Sequence, residues 1–210
     1  MIKHVWFDLE ETLTIYSPEF FKEHNNLLYQ TYAKAVRKPI TKELLDEFKK
    51  LYNELGSNSA VFRSLGHPSN YWQKTYQESI DVNPFVKAAT NAKKTLLKLK
   101  KIVPISIFTN VTSKSLFSTL KLIDIDKEWF THTINGDDIK ERKPALDGFN
   151  LMIKKSNLLP KEILYVGDLI NKDILPAKAV GMRTCLLWAK SDKADYSFEK
   201  FEEILNIFEQ

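Results

Sequence analysis

Three short apolar runs in this sequence each end in a polar residue that could take part in catalysis. They are residues 5–7 followed by Asp8, residues 105–108 followed by Thr109, and residues 163–166 followed by Gly167 and Asp168. In an open parallel sheet, ligands bind at the carboxyl ends of the strands, so we expect Asp8, Thr109 and Asp168 to meet at one edge. An Asp or Thr in such a place is, taken alone, more often a turn or cap residue. The hypothesis of a site therefore rests on the three together.

The elements around these runs alternate between strand and helix, except for one long helical stretch. Residues 17–80 carry apolar side chains at helical spacing, with a start signal at Ser17-Pro18 and a stop signal at Gly56. Further helices are expected over residues 85–101 and 198–208. Continuous apolar strands that alternate with helices indicate a parallel sheet covered on both faces.

The sequence therefore predicts an α/β fold with two domains. Residues 1–15 and 84–210 would form a three-layer, Rossmann-like core around a parallel sheet. Residues 16–83 would form an all-helical cap domain inserted after the first strand.

Composition excludes several classes of function. The chain has 31 basic and 27 acidic residues, a net charge of +4 and four arginines, which is a mixed surface rather than a nucleic-acid-binding one. Its one cysteine, Cys185, excludes a disulfide framework and fits a reducing, cytoplasmic environment. Asp8 comes too early for a signal peptide, and no apolar segment is long enough for a bilayer, so we expect no membrane association.

Four motifs in order carry a resemblance to a known family. They are Asp8-Leu9-Glu10-Glu11-Thr12, the strand ending in Thr109-Asn110, Lys143-Pro144, and Gly167-Asp168 followed after four residues by Asp173. Together they resemble the haloacid dehalogenase-like hydrolase superfamily, in the subfamily I branch with a helical C1-type cap. The resemblance covers nearly the whole chain.

The resemblance implies a Mg²⁺-dependent phosphatase that acts on a small phosphorylated metabolite. Asp8 would attack phosphorus and form an aspartyl-phosphate that water then hydrolyses. Asp8 and Asp168 would ligate Mg²⁺ with the backbone carbonyl of Glu10, and Asp173 would ligate it directly or orient a bound water. Mg²⁺ prefers such oxygen ligands.

The resemblance also implies which residues hold the phosphoryl group. Lys143 would supply positive charge both to Asp8 and to the phosphoryl oxygens. Thr109 and Asn110, which follow the second strand, would bind the remaining oxygens. The oligomeric state is left open by the sequence.

Glu10 departs from the family pattern, in which this position holds the acid/base Asp. A Glu keeps the acid but moves the carboxyl by about 1 Å, and such a shift can cost roughly 100-fold in rate. Glu10 could serve as a repositioned general acid/base. Alternatively, the protein could be a slow phosphatase whose rate is limited by protonation of the leaving group. A third alternative is a catalytically weak regulatory protein that binds phosphate or metal. A haloacid dehalogenase or a phosphomutase on the same fold is a further alternative. Glu11 stands where the family usually has Gly, and Leu169 where it has Ser or Thr.

Overall fold

The computed structural model describes residues 1–209 and divides into two compact units. One unit comprises Met1–Ile15 together with the chain from Val86 onward, and the other comprises Tyr16–Phe85. The use of the inserted unit as a cap over an active site stays a prediction. None of the helices among the described residues is both long and apolar enough to cross a membrane.

A six-stranded parallel sheet organises the first unit. Its strand order is β5-β4-β1-β6-β7-β8, and a separate two-stranded sheet joins β2 to β3. The strands of the described chain are β1 His4–Phe7, β2 Thr14–Tyr16, β3 Val86–Ala88, β4 Ile105–Phe108, β5 Thr133–Ile134, β6 Ile163–Gly167, β7 Arg183–Leu187 and β8 Tyr196–Phe198. Because β1 lies between β4 and β6, the three strands that end in Asp8, Thr109 and Asp168 are neighbours, which confirms the predicted fold class.

Both faces of this sheet are buried, as the continuous apolar strands predicted. Along β1, Val5 and Phe7 pack into one apolar cluster while Trp6 packs into another on the opposite face. All three side chains are fully buried. The helices of the described chain are α1 Pro18–Val36, α2 Lys42–Leu55, α3 Asn58–Ser64, α4 Tyr71–Ser79, α5 Ala92–Leu99, α6 Ser113–Leu122, α7 Asp147–Ser156 and α8 Leu175–Ala179.

The second unit is helical and has a core of its own. Helices α1 to α4 pack around a cluster that includes Tyr32, Phe48, Phe62 and Trp72. The hydroxyl of Thr41 accepts a hydrogen bond from the backbone of α2, and Gly56 ends that helix in the left-handed conformation.

Two helices were predicted incorrectly in part from the sequence. Residues 85–101 contain β3 and only a short α5, because Asn91 adopts a left-handed conformation directly before the helix. The stretch 198–208 begins at the last residue of β8 and then forms a 3₁₀ helix, Phe201–Ile207, rather than an α-helix. The apolar spacing of Phe201 and Ile204, both fully buried, fits three residues per turn as well as it fits an α-helix.

His4 is a buried titratable group in this sheet. Its Nε2 lies 2.8 Å from the hydroxyl oxygen of Ser106, and its ring stacks on Trp6 and on His132. Burial, with a smaller contribution from His132, lowers the pKa of His4 to about 4. Between about pH 4 and pH 6.5 this imidazole is therefore neutral in the folded protein, whereas in the unfolded chain it would be protonated.

The first prediction concerns this histidine. Because its folded pKa lies below the unfolded value of 6.5, its contribution to stability is present above pH 6.5 and is lost as the pH falls towards 4. The loss should reach on the order of 2 kcal/mol. Urea unfolding at several pH values should show a shallower dependence for His4→Gln than for the wild type. A slope for His4→Gln equal to that of the wild type would contradict this assignment.

Candidate active site

Three carboxylates converge at the carboxyl ends of two central strands. Asp8 follows β1, Asp168 follows β6, and Asp173 lies in the helical turn after β6. One oxygen from each lies within 4.8 Å of the other two. Asp8 and Asp173 are buried, while Asp168 is partly exposed. The topology thus brings Asp8 together with two residues that lie far away in the sequence.

Lys143 joins the two buried carboxylates. Its Nζ lies 2.9 Å from Asp8 Oδ1 and 2.7 Å from Asp173 Oδ1, and its side chain is only 3% exposed. Asn110 fixes the backbone of this lysine, because its Oδ1 accepts from Lys143 N at 2.9 Å and its Nδ2 donates to Lys143 O at 3.3 Å. The Lys143–Pro144 peptide bond is cis. Asn110 therefore holds the lysine in place, in addition to its predicted role towards phosphate.

Tyr165 completes this buried group and was missed by the sequence analysis. Its hydroxyl accepts a hydrogen bond from Lys143 Nζ at 2.9 Å and lies 3.2 Å from Asp173 Oδ1. The ammonium also lies over the rings of Phe108 and Tyr165, at 5.3 and 5.6 Å from their centroids. A tyrosine within an apolar strand reads as a core residue, so no signal in the sequence distinguished its hydroxyl.

The electrostatics of the group favour binding of positive charge. Burial raises the pKa of Asp8 to about 8, with Asp173 and Asp168 adding to the effect and Lys143 opposing it. Burial and Asp173 likewise raise the pKa of Asp168 to about 7. Burial alone would lower the pKa of Lys143, but Asp173 and Asp8 outweigh it and hold that pKa above its ordinary value. One lysine thus stands among carboxylates that repel one another.

Gly167 is required for this close packing. A Cβ at this position would lie 2.5 Å from the Cβ of Asp173 and 2.6 Å from its Cγ. The turn that follows, Ile170–Ile174, is π-helical, and Leu169 O accepts hydrogen bonds from the backbones of Asp173 and Ile174. The backbone N–H of Leu169 in turn donates to Asp173 Oδ2 at 3.1 Å. The π-turn therefore accommodates the four residues between the two aspartates and directs Asp173 at Lys143.

A small cavity of about 120 Å³ opens onto the cluster. Its lining contains the predicted residues Glu10 and Asn110 and three residues that were not predicted, Glu11, Leu169 and Lys172. The remaining lining residues are Asp8, Lys143, Asp168 and Asp173. Thr109 is fully buried, and its hydroxyl accepts a hydrogen bond from the backbone of Val111 at 3.3 Å. Its predicted contact with phosphate stays a prediction.

A larger open groove of about 660 Å³ lies beside α5. Its lining consists of small, apolar and lysine side chains and includes no carboxylate. The groove therefore lacks the groups that phosphoryl or haloacid chemistry requires, and the smaller cavity is the candidate active site.

The donor set of the smaller cavity fits Mg²⁺. Carboxylate oxygens from Asp8, Asp168 and Asp173 are hard ligands that lie within 4.8 Å of one another. Burial, together with the neighbouring carboxylates, raises the pKa of Asp8 and of Asp168, and a bound divalent cation would oppose that rise. The expected contribution of the Glu10 carbonyl stays a prediction.

Comparisons with known proteins identify relatives and structural neighbours of this chain. The chain is 25% identical over 237 residues to a glyceraldehyde 3-phosphate phosphatase of Pyrococcus furiosus, covering 100% of this chain and 94% of the relative. It is 36% identical over 79 residues to the phosphoglycolate phosphatase of Escherichia coli, covering 38% of this chain and 31% of the relative. A hydrolase of Bacillus subtilis, solved bound to magnesium, shares the fold with a TM-score of 0.65 at 17% identity, over 100% of this chain and 99% of the other.

A family model decides the assignment. The model described as haloacid dehalogenase-like hydrolase matches residues 5–187, which include all four motifs and the complete carboxylate cluster. The chain belongs to the haloacid dehalogenase-like hydrolase family.

Proposed function

We propose that this protein is a Mg²⁺-dependent phosphatase that hydrolyses a small phosphate monoester through an aspartyl-phosphate on Asp8. The observation that carries the proposal is the buried Lys143, which contacts Asp8 and Asp173 beside the Asp168 carboxylate. This arrangement offers a nucleophilic carboxylate, a fixed cation and a site for a divalent metal. The phosphatase names of relatives from Pyrococcus furiosus and Escherichia coli support the same reaction class.

The chemistry follows from the charges of the cluster. A phosphate monoester is anionic, so attack by a carboxylate needs positive charge at both partners. Lys143 supplies one such charge to Asp8. It also lines the cavity, where it would face the phosphoryl oxygens of a bound substrate. A bound Mg²⁺, held by Asp8, Asp168 and Asp173, would supply the rest as a Lewis acid.

The reaction would proceed in two displacements at phosphorus. In the first, an oxygen of Asp8 forms a bond to phosphorus while the bond to the leaving oxygen breaks, and Glu10 gives that oxygen a proton. In the second, water attacks phosphorus, its proton passes to Glu10, and the carboxylate of Asp8 is restored. Glu10 lines the cavity and is partly exposed, so its carboxyl can exchange protons with solvent between turnovers.

A haloacid dehalogenase is supported less well than a phosphatase. Displacement of a halide by Asp8 needs neither a proton donor nor a cluster of three carboxylates able to hold a metal ion. A catalytically weak binding protein remains the alternative from another class, because Glu10 and Glu11 both depart from the family pattern. A phosphomutase would share the first displacement but transfer the phosphoryl group to a sugar rather than to water.

The second prediction tests the nucleophile and the metal together. With an aryl phosphate as substrate, wild-type turnover should require Mg²⁺ and be abolished by EDTA. Asp8→Asn should reduce kcat by roughly 10⁴-fold or more, because no covalent intermediate can form. Asp192→Asn, which changes an exposed aspartate, serves as the control and should retain activity. Turnover that survives EDTA, or that persists in Asp8→Asn, would exclude the proposed reaction.

The third prediction tests Glu10 as the proton donor. Glu10→Gln should lower kcat roughly 100-fold for an alkyl phosphate, whose leaving group needs a proton, and much less for an aryl phosphate. Glu10→Asp, which restores the shorter acid of the family pattern, should raise turnover most for alkyl phosphates. The control Glu141→Gln should change neither. Equal effects on both substrates would mean that Glu10 does not protonate the leaving group.

Lys172 bears on the class of substrate. It lines the same cavity from the π-turn and is partly exposed, which leaves its ammonium available to a ligand. Lys143 already serves the phosphoryl end of the cavity, so a second cation would suit a substrate with a second negative charge. We therefore include phosphorylated small acids, with 2-phosphoglycolate as the probe, in the proposed substrate class.

The fourth prediction separates the two substrate chemistries named for the relatives. Lys172→Met should raise KM for 2-phosphoglycolate roughly tenfold, the cost of one charge-assisted hydrogen bond, and leave KM for glyceraldehyde 3-phosphate unchanged. Lys161→Met, at the opposite end of the sheet, is the matched control. Unchanged KM values for both substrates would mean that Lys172 does not bind substrate. Equal increases in KM for both substrates would mean that Lys172 binds the phosphoryl group rather than the carboxylate.

A further inference from the structure

Two residues with unusual backbone conformations meet beside the candidate active site. Glu11 has φ of 53° and Trp188 has φ of 67°, both in the left-handed region that costs an L-residue about 1 kcal/mol or more. They lie 177 positions apart, and Trp188 Nε1 donates a hydrogen bond to the backbone carbonyl of Glu11 at 2.6 Å. Strained residues that hold each other in this way are typical of functional loops.

The tryptophan is itself held by aromatic packing. It follows β7 directly, and its indole packs against Phe201 with the ring centroids 6.4 Å apart. Phe201 stacks in turn on Phe7, at 5.8 Å, and Phe7 precedes Asp8. A row of three rings therefore runs from the end of β1 to the indole N–H, and it fixes the position from which that N–H reaches Glu11.

The hydrogen bond from Trp188 acts on the peptide group that follows Glu11. The backbone N–H groups of Thr12, Leu13 and Thr14 all donate to the carbonyl of Leu9. These three hydrogen bonds close the turn, and all of them end on the carbonyl oxygen of Leu9, the residue before Glu10. The peptide planes on either side of Glu11 are set by its own φ and ψ, and the bond from Trp188 fixes the second of these planes.

We infer that Trp188 is a positioning residue that holds Glu11 left-handed and thereby orients the carbonyl and carboxyl of Glu10 at the site. This inference rests on the proposed function, in which Glu10 protonates the leaving group, and on the predicted ligation of Mg²⁺ by the Glu10 carbonyl. A glycine at position 11 would adopt the same conformation without strain. Because this chain has a glutamate there, the hydrogen bond from Trp188 offsets part of the cost of the left-handed conformation.

The inference predicts that Trp188 matters only while residue 11 carries a Cβ. Mg²⁺ binding measured by isothermal titration calorimetry should weaken roughly fivefold in Trp188→Phe, which keeps a ring against Phe201 but loses the N–H. The same change in a Glu11→Gly background should weaken binding less than about twofold. In a Glu11→Ala background, which removes the side chain but keeps the strain, the fivefold effect should remain.

Controls separate positioning from general packing. Trp129→Phe should leave Mg²⁺ affinity unchanged, and thermal melting should show that each variant is folded. The effect on the phosphatase reaction should appear in kcat for alkyl phosphates rather than in KM, since Glu10 acts on the leaving group.

Two results would overturn the inference. Equal loss of Mg²⁺ affinity for Trp188→Phe in the wild-type and Glu11→Gly backgrounds would mean that the tryptophan acts through packing, and no loss in either would mean that it has no such role. Failure of the proposed function gives a different result. A wild type that turns over no phosphate monoester would exclude the reaction, while the calorimetric comparison would still decide the role of Trp188.

Discussion

The site depends on one buried cation shared between two buried carboxylates. Lys143 contacts Asp8 and Asp173 at hydrogen-bond distance, and none of the three side chains has access to much water. Removing one member of such a group commonly costs about 3–5 kcal/mol, because the remaining charges stay buried without compensation. The fold keeps this arrangement with several contacts around it: Asn110 fixes the lysine backbone, Tyr165 binds the ammonium, and Gly167 leaves room for Asp173.

The sheet topology explains how a chain of this kind assembles the group from distant segments. Strands β1, β4 and β6 are adjacent and parallel, so the loops that follow them open on the same edge. The sequence predicted that these loops meet at one edge of a parallel sheet, because each apolar run indicates a strand and the Asp or Thr that follows it indicates where that strand ends. It also predicted which residues to examine, since Asp8, Lys143, Asp168 and Asp173 belong to motifs whose residue types the chemistry requires.

The remaining features could not be predicted, for identifiable physical reasons. Tyr165 lies in an apolar strand, where its hydroxyl has no distinct pattern, and Trp188 acts on a residue 177 positions away. The π-turn that carries Asp173 and Lys172 differs from an α-helix by a single residue, which apolar periodicity does not resolve. The short β3 lies within a stretch whose apolar spacing favoured a helix, and β8 ends at the first residue of another such stretch. Hydrogen bonding to a neighbouring strand placed both in sheets instead.

During turnover Asp8 should carry the phosphoryl group, and quenching the reaction in acid can trap this intermediate. The protein should be mixed with Mg²⁺ and an alkyl phosphate, quenched in acid within the first turnover, digested and analysed by mass spectrometry. We expect one phosphoryl group on the peptide that contains Asp8, and brief treatment with hydroxylamine, which cleaves acyl phosphates, should remove it. Release of inorganic phosphate with no phosphorylated peptide at any quench time, or a label on another residue, would contradict this expectation.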